Sequence, residues 1–409
     1  MTETANSVQF LVLLFGVLLV VNIFLRMGSK KIGIPSLIGF MTLGFLFRVG
    51  DSQIHFLSPG MNQIFNFLAD IGLITLLFRV GLESNLKGLI RQIRHASLIW
   101  TGDILFSGLL GFVVSYWLLG LELITCLFIG VALTATSVSV SVSVWQEEKA
   151  IRSSVGELLI DVAEMDDISG IILMTLLLSA VSGMNSLSKS VAGIDLLKNF
   201  GLIILKLFIF GTFCVIFSLL IEKRLLKFFS KRIHSPEPML IVTGLGFIIA
   251  GIGVLLGFSM AIGAFFAGLV FSRDPEAVKW DASFSALYEI FAPFFFIGIG
   301  MGVNPQSLTT ALGLGGILFV LAVVGKMVGD GGLSLIVTDP KSSALISVSM
   351  IPRAEIAMIV MQRGHEMGKW AVSDEVYSAM VIVSLATCVV SPIVLRKFLM
   401  KWPQKPEES

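Results

Sequence analysis

The chain has 409 residues, 55% of them hydrophobic and 14% charged, with a formal net charge of +1. Soluble domains carry about 25% charged residues, so this chain cannot cover a water-facing surface with polar atoms. A soluble enzyme, a nucleic-acid binder and a disordered protein are excluded, and a charge near neutral gives no field for an anionic partner. What remains is an all-α polytopic membrane protein whose partner is the lipid bilayer.

A bilayer core about 30 Å thick takes about 20 apolar residues per helix. In chain order thirteen segments qualify: Val8 to Leu25, Ile34 to Phe47, Met61 to Leu82, Ala96 to Leu119, Leu123 to Trp145, Val155 to Val181, Phe200 to Ile221, Pro238 to Leu256, Phe258 to Phe271, Leu287 to Met301, Leu312 to Val337, Ala344 to Gln362 and Val376 to Leu399. The second, ninth and tenth are short, and Gly257 is the expected turn between the eighth and ninth. The first follows an acidic Glu3 without a basic stretch and exceeds a signal-peptide core, so it is read as a retained helix. With the N-terminus outside, twenty Lys and Arg residues fall on inside loops and five on outside loops. That bias fits thirteen crossings, with residues 400–409 a cytoplasmic tail and the cell inner (plasma) membrane as the location. Cys126, Cys214 and Cys388 lie in separate apolar segments and form no disulfide or metal pattern. His55, His95, His234 and His365 are expected in loops.

The second segment contains Ile38-Gly39 and Gly44, and the ninth contains Ile262-Gly263 and Gly268 at the same spacing. The third ends Phe78-Arg79-Val80-Gly81 and the tenth ends Ile297-Gly298-Ile299-Gly300. Order and offset are kept, so segment k pairs with segment k+7. A shift by an odd number of segments turns the second copy over in the membrane. That is the inverted-repeat plan of secondary transporters, with a site near the midplane. The repeats run over about residues 8–181 and 238–399, with a linker helix at about 200–221.

This pairing matches the fifth segment with the twelfth and predicts that both are interrupted. The fifth holds Thr134-Ala135-Thr136-Ser137 followed by Ser139, Ser141 and Ser143; the twelfth holds Ser347, Ser349 and Pro352-Arg353. Unwound backbone at membrane depth is tolerated only beside protein or a cavity. The plainer reading is that these hydroxyls pack helices and the proline makes a kink.

Ionisable side chains inside a membrane are costly and mark function by default. Asp166 and Asp167 lie about 18 Å into the sixth segment, taking 1.5 Å per helical residue. Two adjacent carboxylates cannot both ionise cheaply there without a cation, and alkali cations prefer oxygen ligands such as these carboxylates and the nearby hydroxyls of Thr134, Thr136 and Ser137. The plainer alternative is a structural ion-pair network. Lys326 in the eleventh segment is expected to pair with Asp166 or Asp167; the plainer alternative is Asp330, four residues on. Glu157, Asp161 and Glu164 form a stripe that either leads inward as a funnel or pairs with Arg353; Glu355 lies beside it in the twelfth segment. Asp70, Arg79, Asp103 and Glu289 are read as helix-packing groups.

These residues resemble the second monovalent cation:proton antiporter family over about residues 8–399. The resemblance rests on Ile34-Pro35 with Gly39 and Gly44, Leu76-Leu77-Phe78 with Gly81-Leu82-Glu83, Thr134-Ala135-Thr136-Ser137, Asp166-Asp167, Gly263-Ala264-Phe265 with Gly268, Pro293-Phe294-Phe295-Phe296, Lys326 and Pro352-Arg353-Ala354-Glu355. It implies the sodium–proton antiporter fold, a homodimer, and crossed broken helices in a core bundle that shifts like an elevator. It implies that Asp167 binds cation and protons in turn, that Asp166 pairs with Lys326, and that exchange is electrogenic. Sodium or lithium and protons would be substrates, with no cofactor and no nucleotide. Arg79, Asp161 and Glu164 depart from the family pattern. Alternatives are a potassium:proton antiporter of the same family and a sodium-coupled organic-anion symporter. An intramembrane aspartyl protease would need its two acids on facing helices, whereas Asp166 and Asp167 are neighbours on one.

Overall fold

The computed structural model describes residues 2–32, 34–54, 58–83, 86–186, 193–222, 224, 237–256, 258–272 and 277–404, and among these every regular element is helical. The N-terminal part comprises α1 (Thr2–Ile32), α2 (Ser36–Ile54), α3 (Pro59–Glu83) and α4 (Leu86–Asp103). A π-helical turn at Ile104–Gly108 joins α4 to α5 (Leu109–Trp117). Next come α6 (Leu123–Thr134), α7 (Val138–Glu147), α8 (Ser154–Ser186) and α9 (Gly193–Ile216). The rest comprises α10 (Glu237–Leu255), α11 (Met260–Phe271), α12 (Ala277–Met301), α13 (Leu308–Ser334), α14 (Pro340–Ser349), α15 (Glu355–Met367) and α16 (Asp374–Lys401).

Polarity is inverted relative to a soluble protein. Phe24, Phe208, Leu219 and Val320 are exposed, while Asp103, Asp166, Lys326, Asp330 and Arg353 are at most 1% exposed. The stretches Val12–Ile32, Pro59–Leu82, Arg94–Trp117, Leu123–Glu147, Pro305–Ser334 and Asp374–Lys401 are long and apolar enough to cross a bilayer. Leu205–Leu220, Ile241–Leu255, Met260–Phe271 and Ala286–Met301 are shorter apolar helices. The tenth segment extends N-terminally as far as Ala277, because the added turns carry Lys279 and Asp281 and are too polar to register as a span. Gly257 lies outside the described residues, as do His55 and His234; His95 and His365 sit on helices α4 and α15, not in loops.

The chain forms two compact units, each drawing on both halves of the sequence. One comprises 1–61, 87–170 and 296–409; the other comprises 62–86 and 171–295. Inside the first, α2 crosses the end of α12 so closely that a Cβ on Gly44 would strike the Ile297 carbonyl, and one on Gly300 the Met41 carbonyl. Inside the second, α3 and α11 interlock the same way: Gly81 meets the Phe265 carbonyl and Gly268 the Phe78 carbonyl. Gly44 and Gly268 are the glycines matched between the second and ninth segments. Phe78 and Gly81 correspond to Ile297 and Gly300. The two crossings thus use the positions matched in the sequence in the same way.

Candidate ion-binding site

All the groups of this site belong to the first unit. The fifth segment breaks between α6 and α7, and the twelfth between α14 and α15. Ala135 and Ser137 are extended, with ψ of 136° and 90°. In the twelfth segment Pro352 lacks an N–H and disfavours helical backbone at Ile351. Breaking two helices frees backbone groups that must be satisfied internally. The breaks satisfy one another. Ser137 N–H donates to the Pro352 carbonyl at 2.8 Å, and Arg353 Nη1 donates to the Ala135 carbonyl at 2.6 Å and to Met350 O at 3.3 Å. From α16, Thr387 Oγ1 accepts the Arg353 N–H at 3.1 Å and Ser384 Oγ donates to the Arg353 carbonyl at 2.7 Å. Ser141 Oγ donates to the Ser349 carbonyl at 2.6 Å, and Trp145 Nε1 to Ser349 Oγ at 2.9 Å.

Asp166 on α8 faces this crossing. Its Oδ2 accepts a hydrogen bond from Thr136 Oγ1 at 2.5 Å and another from Lys326 Nζ at 3.0 Å, while its buried Oδ1 has no hydrogen-bond partner. Thr136 Oγ1 also accepts from Arg353 Nη1 at 3.3 Å. Lys326, fully buried on α13, reaches further: Nζ lies 2.6 Å from Asp103 Oδ1, 3.5 Å from Asp330 Oδ2 and 3.0 Å from the Thr134 carbonyl. Asp166 and Asp330, two of the three acids expected to pair with Lys326, are thus within ion-pair distance of it, together with Asp103.

Asp103 is the group that sequence reasoning passed over as a packing residue. It is the last residue of α4, immediately before the π-helical turn, and is fully buried. Such turns recur at functional sites. Its contact with α13 is built by glycine: a Cβ on Gly102 would fall 2.5 Å from the Gly329 carbonyl oxygen, and one on Gly329 2.7 Å from the Gly102 carbonyl oxygen. The sequence offset matches the fourth segment with the eleventh, and the matched dipeptides Gly102-Asp103 and Gly329-Asp330 meet at this contact. The position equivalent to Lys326 is Ile99, an apolar residue.

The remaining expected residues are spread around this centre. Asp167 is half-buried on the next position of α8. Thr134 Oγ1 bonds within α6 to Val131 O at 2.9 Å. Ser137 Oγ and Ser139 Oγ donate to the Glu355 carboxylate at 2.5 and 3.2 Å, which fixes Glu355 at the start of α15. Arg353 bonds to carbonyls and a hydroxyl, and among the described residues no carboxylate lies within ion-pair distance of it. Along α8, Glu157 is exposed, Glu164 half-buried and Asp161 buried. In the second unit the Arg79 guanidinium sits 4.6 Å from the centre of the Tyr288 ring.

Crossed broken helices around buried opposite charges, inside an all-helical membrane fold, define a secondary ion transporter. The transmembrane domain model of the sodium/hydrogen exchanger family matches residues 15–401, and the chain belongs to that family, whose members are transporters and not enzymes. It is 28% identical over 387 residues to a Na(+)/H(+) antiporter of Enterococcus hirae, covering 91% of this chain and 94% of that one. It is 27% identical over 370 residues to a Na(+)/H(+)-K(+) antiporter of Bacillus cereus, covering 90% and 91%. The solved structure of a sodium proton antiporter from Methanocaldococcus jannaschii aligns with a TM-score of 0.69 at 16% identity, covering 96% of this chain and 99% of that one.

Proposed function

We propose that the chain exchanges a monovalent cation, sodium or lithium, for protons by competition at Asp167. The observation that carries this reading is the Asp166–Lys326 ion pair held against the broken helices, beside a second carboxyl only one residue away. Protonated, Asp167 offers no charge to a cation. Deprotonated, it can coordinate one together with Asp166 and oxygens of Thr134, Thr136 and Ser137. A cation that binds Asp166 competes directly with Lys326 for it. Because two carboxylates and an ammonium take part, more than one proton leaves per cation and exchange carries net charge.

Alternating access follows from an elevator-like movement of the helices bearing the site, within a homodimer whose N-termini lie outside and C-termini in the cytoplasm of the inner membrane. Purified protein in proteoliposomes with a trapped pH-sensitive dye tests the proposal. Sodium or lithium is expected to dequench the dye, and Asp167→Asn to abolish the signal; full activity in that variant ends the proposal. Potassium is a second substrate to test in the same vesicles, since the Bacillus cereus relative carries potassium in its name.

A further inference from the structure

We propose that Asp103 is a positioning residue for this exchange: it keeps hold of Lys326 through a second buried ion pair, so that Lys326 can release Asp166 to the incoming cation. The inference rests on the exchange reading above, in which cation and lysine compete for Asp166.

A buried ammonium is stable only while it is paired, and removing its sole partner leaves an uncompensated charge. With Asp166 as the one partner, every cation arriving at Asp166 would strand Lys326 in the membrane interior. The structure provides against this. Asp103 Oδ1 is nearer to Nζ, at 2.6 Å, than Asp166 Oδ2 is, at 3.0 Å. Asp103 is fully buried, and Lys326 is its only ion-pair partner among the described residues. It does not coordinate Asp166's other neighbours: Thr136 and Arg353 bond elsewhere. The Gly102–Gly329 contact fixes the separation of α4 and α13, so the Asp103–Lys326 pair is carried by two backbones in direct touch. Gly325, next to Lys326, packs on Ser107 of the π-helical turn, where a Cβ would lie 2.9 Å from the Ser107 Cα. Asp330, the acid at the matching position, is the most distant of the three at 3.5 Å, against 2.6 Å for Asp103, and lies on the lysine's own helix. Asp103 is therefore the acid placed to retain the lysine. It touches no transported ion; it sets how firmly Lys326 competes for Asp166.

The test compares the unaltered chain with Asp103→Asn, Asp103→Glu, Lys326→Gln and the Asp103→Asn/Lys326→Gln double variant. Half-saturating sodium is read at one fixed pH in two ways: from dye dequenching, and from the sodium-dependent rise in melting temperature in detergent, which needs no turnover. Asp103→Asn is expected to raise half-saturating sodium about tenfold, the size of coupling typical of contacting charges, with a smaller change in maximal rate. Asp103→Glu, which keeps the charge, is expected to recover most of the difference. In the Lys326→Gln background the Asn replacement is expected to change half-saturating sodium less than about twofold, because the residue through which Asp103 acts is gone. A structural role would shift both backgrounds alike. An unchanged value in Asp103→Asn, or an equal rise in both backgrounds, overturns the inference. Should the single Asn variant fail to fold, the double variant decides, since it leaves neither charge without its partner: equality with Lys326→Gln supports the inference and a difference overturns it. Absence of sodium-, lithium- and potassium-driven exchange in the unaltered chain overturns the exchange reading itself, and this inference with it.

Discussion

An ammonium has three N–H donors, and Lys326 faces four oxygens, on Asp103, Asp166, Asp330 and the Thr134 carbonyl. One neighbour is always left without a donor, so the lysine can change partners by small rotations without leaving the cluster. Replacing it with alanine removes the positive charge from among three buried acids. Lys326→Ala is expected to reduce or abolish charge movement, read as sodium-induced current on a solid-supported membrane; unchanged current would show that the lysine takes no part. Asp166, Asp167 and Lys326 were legible in the sequence because each interrupts a long apolar run, where a charge needs a reason. Asp103 interrupts one too, yet nothing in its own segment distinguishes it from Asp70 or Glu289. Its significance comes from Gly102 meeting Gly329, a contact between residues far apart in the chain. A dipeptide comparison, Gly102-Asp103 with Gly329-Asp330, was the one signal available, and the repeat offset pointed to it.

Among the elements, the broken helices show what sequence does and does not encode. Their existence followed from a cluster of hydroxyls and a proline placed at matching points of the two repeats. Their mutual bonding did not, because Ser137 N–H, Arg353 Nη1 and the carbonyls they reach find one another only in three dimensions. The start of α14 is set by a conventional cap: Asp339 Oδ2 accepts the Lys341 N–H at 3.0 Å, Oδ1 accepts the Ser342 hydroxyl at 2.5 Å, and Pro340 takes the first position. The Ser342 hydroxyl, helped by the backbone N–H groups, holds the Asp339 carboxyl below its ordinary value. A lowered value means that the cap stabilises the fold above the unfolded carboxyl pKa of about 3.9 and is lost as pH falls through the folded value. Asp339→Ala is expected to lower stability by about 1 kcal/mol at neutral pH, and thermal melts should show the gap closing below about pH 4. The glycine crossings make a sharper demand. In Gly268→Val the added atoms meet the Phe78 carbonyl with no room to move, so a loss on the order of 1–3 kcal/mol is expected, seen as a lower melting temperature or as loss of folded protein on size-exclusion chromatography.

At the scale of the whole molecule, hydropathy captured the helices because lipid imposes the same requirement on every crossing. It was least accurate where a helix runs past its apolar stretch, as α12 does toward Ala277. It could not anticipate that the compact units would each recruit pieces from both halves, because hydropathy describes one segment at a time. The three cysteines have a practical consequence. Cys126, Cys214 and Cys388 are 0%, 4% and 0% exposed, so the native thiols are shielded from aqueous reagents and the wild-type chain supplies a dark background for labelling. A single thiol introduced at exposed Ser58, or in place of exposed Lys341, can then be probed in sealed cells with a membrane-impermeant maleimide. Ser58→Cys is expected to be tagged from outside and Lys341→Cys only after the membrane is opened; the opposite pattern would turn the whole topology over.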